Sequence, residues 1–136
     1  MNVGKAIFSI LSDNAAVAAM VTNADTTLRI HPLKGVLTED TPFITYQLIT
    51  GTPQHNKEAA SVDVLRVQVN VISDNYDNMK DLAYKVRQAL EYQKGTFEGI
   101  NIQYISMQSE QDSYEDSAKL QGAGMVVQDY LIRLEL

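Results

Sequence analysis

The stretch VDVLRVQVNVISDNYDNMKDLAYKVRQALE, from Val62 to Glu91, constrains the fold more than any other part of the chain. In its first half Leu65, Val67, Val69 and Val71 alternate with Arg66, Gln68 and Asn70. Strand side chains point to opposite faces with period two, so this pattern describes a sheet buried on one face only. In its second half Met79, Leu82, Ala83, Val86 and Leu90 recur at three- and four-residue steps, the stripe of an amphipathic helix. Asp74 is the expected cap between the two, with Asp77 in the first turn where the helix dipole favours an anion. A half-apolar sheet and a striped helix bury both faces when the helix folds back onto the sheet.

The rest of the chain supplies partners for that unit. Val3, Ala6, Ile7, Ile10 and Leu11 form a second helical stripe behind Asn2, a suitable N-cap. Asp13 can cap a short helix over Ala15 to Val21. Leu28 to Ile30 reads as a short strand cut off by Pro32, and FITYQLIT after Pro42 as a longer one. Gly95 and Gly99 bracket a turn before a strand from Ile100 to Met107. In the closing MVVQDYLIRLEL, Val126, Tyr130, Ile132, Leu134 and Leu136 share a face opposite Asp129, Arg133 and Glu135. Two polar excursions, Gly51 to Ser61 and Gln108 to Gly124, read as long loops. The expected fold is α+β: a mostly antiparallel sheet of about four main strands, packed on one face by two amphipathic helices. No linker divides residues 1–136, so a single domain is expected.

Chemistry is hard to find in this pattern. The chain has no cysteine, which removes disulfides and thiolate metal sites. Its two histidines, His31 and His55, lack carboxylates at metal-binding spacing. The acidic run Glu110, Asp112, Glu115 and Asp116 lacks the central glycine and closing glutamate of a calcium loop. GAG at Gly122 to Gly124 has neither the later glycine nor the following helix of a dinucleotide fingerprint. No serine has a nucleophile-elbow setting. The expectation is therefore no enzyme and no cofactor. With 11 Lys plus Arg against 17 Asp plus Glu and a net charge of −6, phosphate binding has little to draw on, so sequence-specific nucleic-acid binding is not expected. No stretch approaches the roughly 20 apolar residues of a membrane span, and the SDN at Ser12 to Asn14 interrupts any export signal, so a soluble, cytosolic product is expected.

The segments LRIHP (Leu28 to Pro32) and TPFITYQLITGTP (Thr41 to Pro53), with DVLRVQVNVISDNYDNMKDLAYKVRQAL and the closing strand, resemble the tail-completion, or tail-terminator, proteins of long-tailed bacteriophages and prophages. The resemblance spans nearly the whole chain. It implies a small structural protein that caps the tail tube, ends its polymerisation and forms the joining surface to the head connector. It further implies a ring, commonly a hexamer, with copies of itself, the tail-tube protein and head–tail connector proteins as partners. Its place would be the host bacterial cytoplasm during assembly and then the head-proximal end of the virion tail. The family offers no active-site residues to transfer. Candidate contacts are the charged or polar residues of loops and sheet faces: Gln54, His55, Lys57, Glu58, Arg66, Glu110, Asp112, Glu115, Asp116, Arg133 and Glu135. The alternative is a small-molecule-binding regulatory α+β module, which would need an apolar pocket with converging polar groups.

Overall fold

The computed structural model describes residues 2–23, 26–32, 42–54, 62–114 and 124–135. Among these residues three helices, α1 (Val3–Asp13), α2 (Ala15–Val21) and α3 (Tyr76–Leu90), accompany six strands. The strands are β1 (Ile30–Pro32), β2 (Phe43–Gln54), β3 (Val62–Ser73), β4 (Gly95–Phe97), β5 (Ile100–Tyr114) and β6 (Gly124–Glu135). They form one sheet in the order β1-β2-β3-β6-β5-β4. The α+β class is as expected, and β2, β3, β6 and β5 are the four long antiparallel neighbours. The detail differs: β1 pairs with β2 in parallel, β4 adds a short sixth strand, and α2 is a third packed helix.

The main core lies on one side of the sheet, as the alternation required, with Phe43, Ile72 and Val127 buried on the other. Leu65, Val67, Val69 and Val71 of β3 and Val126, Tyr130, Ile132 and Leu134 of β6 are buried toward the helices. Every apolar stripe residue expected of α1 and α3 is buried, α3 over β3 and β6, and α1 over β2, both short edge strands and the other two helices. Such burial contributes roughly 1.5–3 kcal/mol per large side chain toward holding both helices on the sheet. α1 and α2 meet at 90°, and among the described residues no single helix is long and apolar enough to cross a membrane.

Several boundaries move for identifiable reasons. The cap of α3 is Asn75, whose side chain accepts from Asn78 N at 3.0 Å, and not Asp74. That of α2 is Asn14, accepting from Val17 N at 3.1 Å, and not Asp13. Asn2 occupies the N-cap position of α1 without making a side-chain cap bond. The first strand starts at Ile30 and includes Pro32, tolerable because β1 is an edge. Glu98 and Gly99, at φ 52° and 77°, turn β4 into β5 as a two-residue hairpin with both central residues left-handed.

The largest correction concerns the loops. Gly51 to Gln54 continue β2 against β3, and Gln108 to Tyr114 continue β5 against β6. Pairing satisfies the backbone of these polar residues regardless of their weak strand propensity. The register shift between Ile102 and Tyr104 brings Ile105 and Met107 to the helix side with Ile102 despite the odd spacing, and that between Met107 and Ser109 brings Glu110 there. Residues 55–61 and 115–123 lie outside the described residues.

Candidate interaction surface

The sheet leaves one face without helices. On it stand Arg66 of β3 and Asp129, Arg133 and Glu135 of β6, two cations and two anions. Around them are Thr45, Gln47, Gln68, Asn70, Ser106 and Ser109, with an apolar end formed by Phe43, Ile72 and Met125. Ser109 Oγ donates to Asp129 Oδ2 at 3.0 Å, and Asn70 Nδ2 donates to Thr45 Oγ1 at 3.2 Å. Glu135 accepts from Asn101 Nδ2 at 3.4 Å and Gln103 Nε2 at 3.5 Å. The same face carries Val64, Tyr104, Val127 and Leu131, so it mixes balanced charge with apolar side chains, as protein contact surfaces do.

The candidate contacts are divided between surfaces. Arg66, Arg133 and Glu135 share the helix-free face. Glu110 and Asp112 lie on the helix side of β5, not in a loop. Glu110 Oε1 accepts from Gln128 Nε2 at 2.9 Å. Asp112 accepts from Lys80 Nζ at 2.8 Å and from Tyr76 Oη at 3.1 Å, tying the first turn of α3 to β5. The Lys80 hydrogen bond is the main cause of a carboxyl held below the usual range at Asp112. Gln54 ends β2, while His55, Lys57, Glu58, Glu115 and Asp116 lie outside the described residues.

The described ends of the long strands have a simple geometry. Val62 stands opposite Glu135 and Ser73 opposite Gly124. Segment 55–61 is therefore attached at one end of the sheet and segment 115–123 at the other, roughly 36 Å away by strand rise.

Two polar clusters were not anticipated from the sequence. Gln128 is fully buried beneath α3, donating to Ala83 O and Glu110 Oε1, each at 2.9 Å, and accepting from Tyr130 Oη at 2.8 Å. Burial pushes the Tyr130 phenol upward, so it remains a donor throughout the neutral range. Arg29, also buried, donates to Pro42 O at 2.9 Å, Asn23 Oδ1 at 2.7 Å and Met20 O at 3.0 Å. It joins the end of α2 to the entry of β2. Both clusters stabilise the fold and make no site for a reacting group.

A cleft of about 250 Å³ lies between the start of α1 and β2, lined by Val3, Gly4, Lys5, Pro32, Tyr46 and Leu48 among others. Lys5 is its one side chain that is charged at neutral pH, so it offers no acid–base pair. Among the described residues no three His, Asp or Glu side chains are placed to hold a metal ion.

This is a curled sheet of strands backed by helices, and the described residues bring together no acid–base pair or metal-ligand set in a cleft. The comparisons agree with that class. The profile of the family described as tail completion protein gp17 matches residues 5–133. The chain belongs to this family: it is a structural protein of a phage tail and not an enzyme. Among solved structures, a chain from the virion of a native gene transfer agent particle superposes with a TM-score of 0.71 at 15% identity, covering 96% of this chain and 92% of that one. A second solved chain, which carries a sequence identifier in place of a name, gives 0.55 at 13% identity, with coverage of 98% and 95%. At such identities the superpositions establish the fold. No curated protein sequence matches this chain.

Proposed function

We propose that copies of this protein close into a ring that caps the tail tube, ends its polymerisation and presents a surface to the head connector. The observation that carries this reading is the attachment of segments 55–61 and 115–123 at opposite ends of one sheet. One copy can thereby touch the tube with one end and the connector with the other. Residues His55, Lys57 and Glu58 belong to the first contact set, and Glu115 and Asp116 to the second. Arg66, Arg133 and Glu135 on the helix-free face help set the register between partners. A chain of net charge −6, with charge balanced on that face, does not hold passing DNA by its phosphates.

Ring closure needs heterologous contacts, in which one surface meets a different surface on the next copy. Light scattering and native mass measurement on the purified protein, alone and with its tail-tube protein, test the reading. A closed oligomer of defined mass is the expected result, at the latest when tube is present. A strict monomer with tube protein in excess at high concentration would overturn it.

A further inference from the structure

We infer that the helix-free sheet face of one copy docks on the acidic side of α3 in the next, with Arg66 and Arg133 taking carboxylates across the joint. This rests on the ring reading above and specifies its contact.

The face holds two arginines that the fold itself leaves unengaged. Arg133 stands opposite Val64 and Arg66 opposite Leu131, so they are diagonal neighbours on adjacent strands, with Cα atoms about 7–8 Å apart. The anions of the same face are drawn sideways to β5: Asp129 accepts from Ser109, and Glu135 from Asn101 and Gln103. Neither arginine makes an ion pair or hydrogen bond with a described residue. Arg133 Nε is buried without an acceptor, a costly condition that an incoming carboxylate relieves. Val64, Leu131 and Tyr104 stand around the pair. Arginine and tyrosine often dominate protein contacts, and the aliphatic neighbours help keep water from the charges.

The complementary surface lies on the other side of the sheet. Asp77 and Asp81 of α3 stand beside Glu110 and Asp112 of β5, to which Tyr76 and Lys80 tie the helix. Four exposed acids there meet two lysines, and both lysines are already used, Lys80 on Asp112 at 2.8 Å and Lys85 on Asp81 at 3.1 Å. Asp77 makes no ion pair with a described residue. Asp77 and Asp81 are one helical turn apart, about 5–6 Å between Cβ atoms, a spacing that two diagonal arginines can match. The Asp81–Lys85 pair is exposed, so exchanging it for an arginine costs little. Tyr76 and Tyr84, each 59% exposed, add apolar area to the same side.

The two surfaces do not compete within one copy. The arginines face away from the helices, toward the end of the sheet where Val62 meets Glu135. The acids lie on the helix side, toward the end where Ser73 meets Gly124. Each copy can therefore offer one surface to each neighbour, the heterologous arrangement that ring closure needs. The opposite sign, the matching spacing and the exposed tyrosines all come from this chain, which commits the contact to a second copy. Duplex DNA fits the face less well, since Asp129 and Glu135 share it and the net charge is −6.

Size-exclusion chromatography with light scattering tests the contact, with tail-tube protein added if wild type needs it to close. Arg66→Glu alone, and Asp77→Lys combined with Asp81→Lys, are each expected to lose the closed oligomer while remaining folded by thermal unfolding. All three substitutions in one chain exchange the signs of both surfaces and are expected to restore it. A closed oligomer that tolerates both sets, or a loss that the triple variant fails to restore, would overturn this contact while leaving the ring standing. So would an Arg66→Glu protein that still closes and loses only its binding to tube protein or to duplex DNA. A monomer at every concentration, with and without tail-tube protein, would overturn both.

Discussion

Replacing Gln128 with leucine removes the polar group at the centre of the sheet. Leucine fits the apolar surroundings, so the cost comes from partners left behind. The Ala83 carbonyl sits in α3, where the helical ladder already uses it, and Glu110 is exposed and resolvates. Tyr130 cannot: its hydroxyl, in a fully buried side chain, loses the acceptor 2.8 Å away. A stranded buried donor costs about 1–3 kcal/mol, and Gln128→Leu should lose that much stability. Tyr130→Phe, which strands the Gln128 oxygen instead, should lose a similar amount. With both substitutions neither group is stranded, so the double variant should be at least as stable as either single, a favourable coupling of at least about 1–3 kcal/mol. Urea unfolding reads this directly: at a slope of about 2 kcal/mol per molar, each single variant shifts the midpoint down by roughly 0.5–1.5 M. Strict additivity, or a Gln128→Leu midpoint equal to wild type, would refute the account of this cluster.

Three other outcomes follow from the same kind of reasoning. Arg29→Lys should cost about 2–3 kcal/mol in the same assay, because a single ammonium cannot serve three acceptors that the planar guanidinium reaches from three nitrogens. Glu98→Asn should stabilise by up to about 1 kcal/mol, seen as a rise of a few degrees in Tm, because Glu98 holds φ 52° and asparagine tolerates that region better. The folded Asp112 carboxyl titrates below its unfolded value, so its stabilisation is present above the ordinary carboxylate range and is lost as pH falls through the lower folded value. Asp112→Asn should accordingly flatten the acid limb of stability below about pH 4, an effect that shrinks in high salt, measured by thermal unfolding across pH.

The parts legible in the sequence are those where burial enforces a period. The alternation of Val62 to Ser73 and the stripes of α1 and α3 each report one buried face, and each is where its pattern put it. Gln108 to Tyr114 gave no such signal: the described side chains among them are exposed, and the register shifts on β5 break the period-two count just before. Their strand character comes from pairing with β6, which no local pattern reveals. Gln128 did carry a signal, since it stands two residues before Tyr130 and so falls on the buried side. Its polarity hid it among the outward residues, and the compensating partners come from α3 and β5. The caps moved by one residue because the SDN segments at Ser12 and Ser73 each offer adjacent residues of nearly equal capping ability. Charge and loop position do not report that Glu110 and Asp112 stand on the helix side while Arg66 and Arg133 stand on the opposite face.

The central claim is that this plate of strands works by contacting other virion proteins at the end of a tail. Electron microscopy of particles from a host in which this gene alone is deleted, with and without the gene supplied in trans, tests it most directly. The account predicts tails of abnormal length beside unjoined heads, restored by complementation. Normal, fully joined virions from the deletion would contradict it.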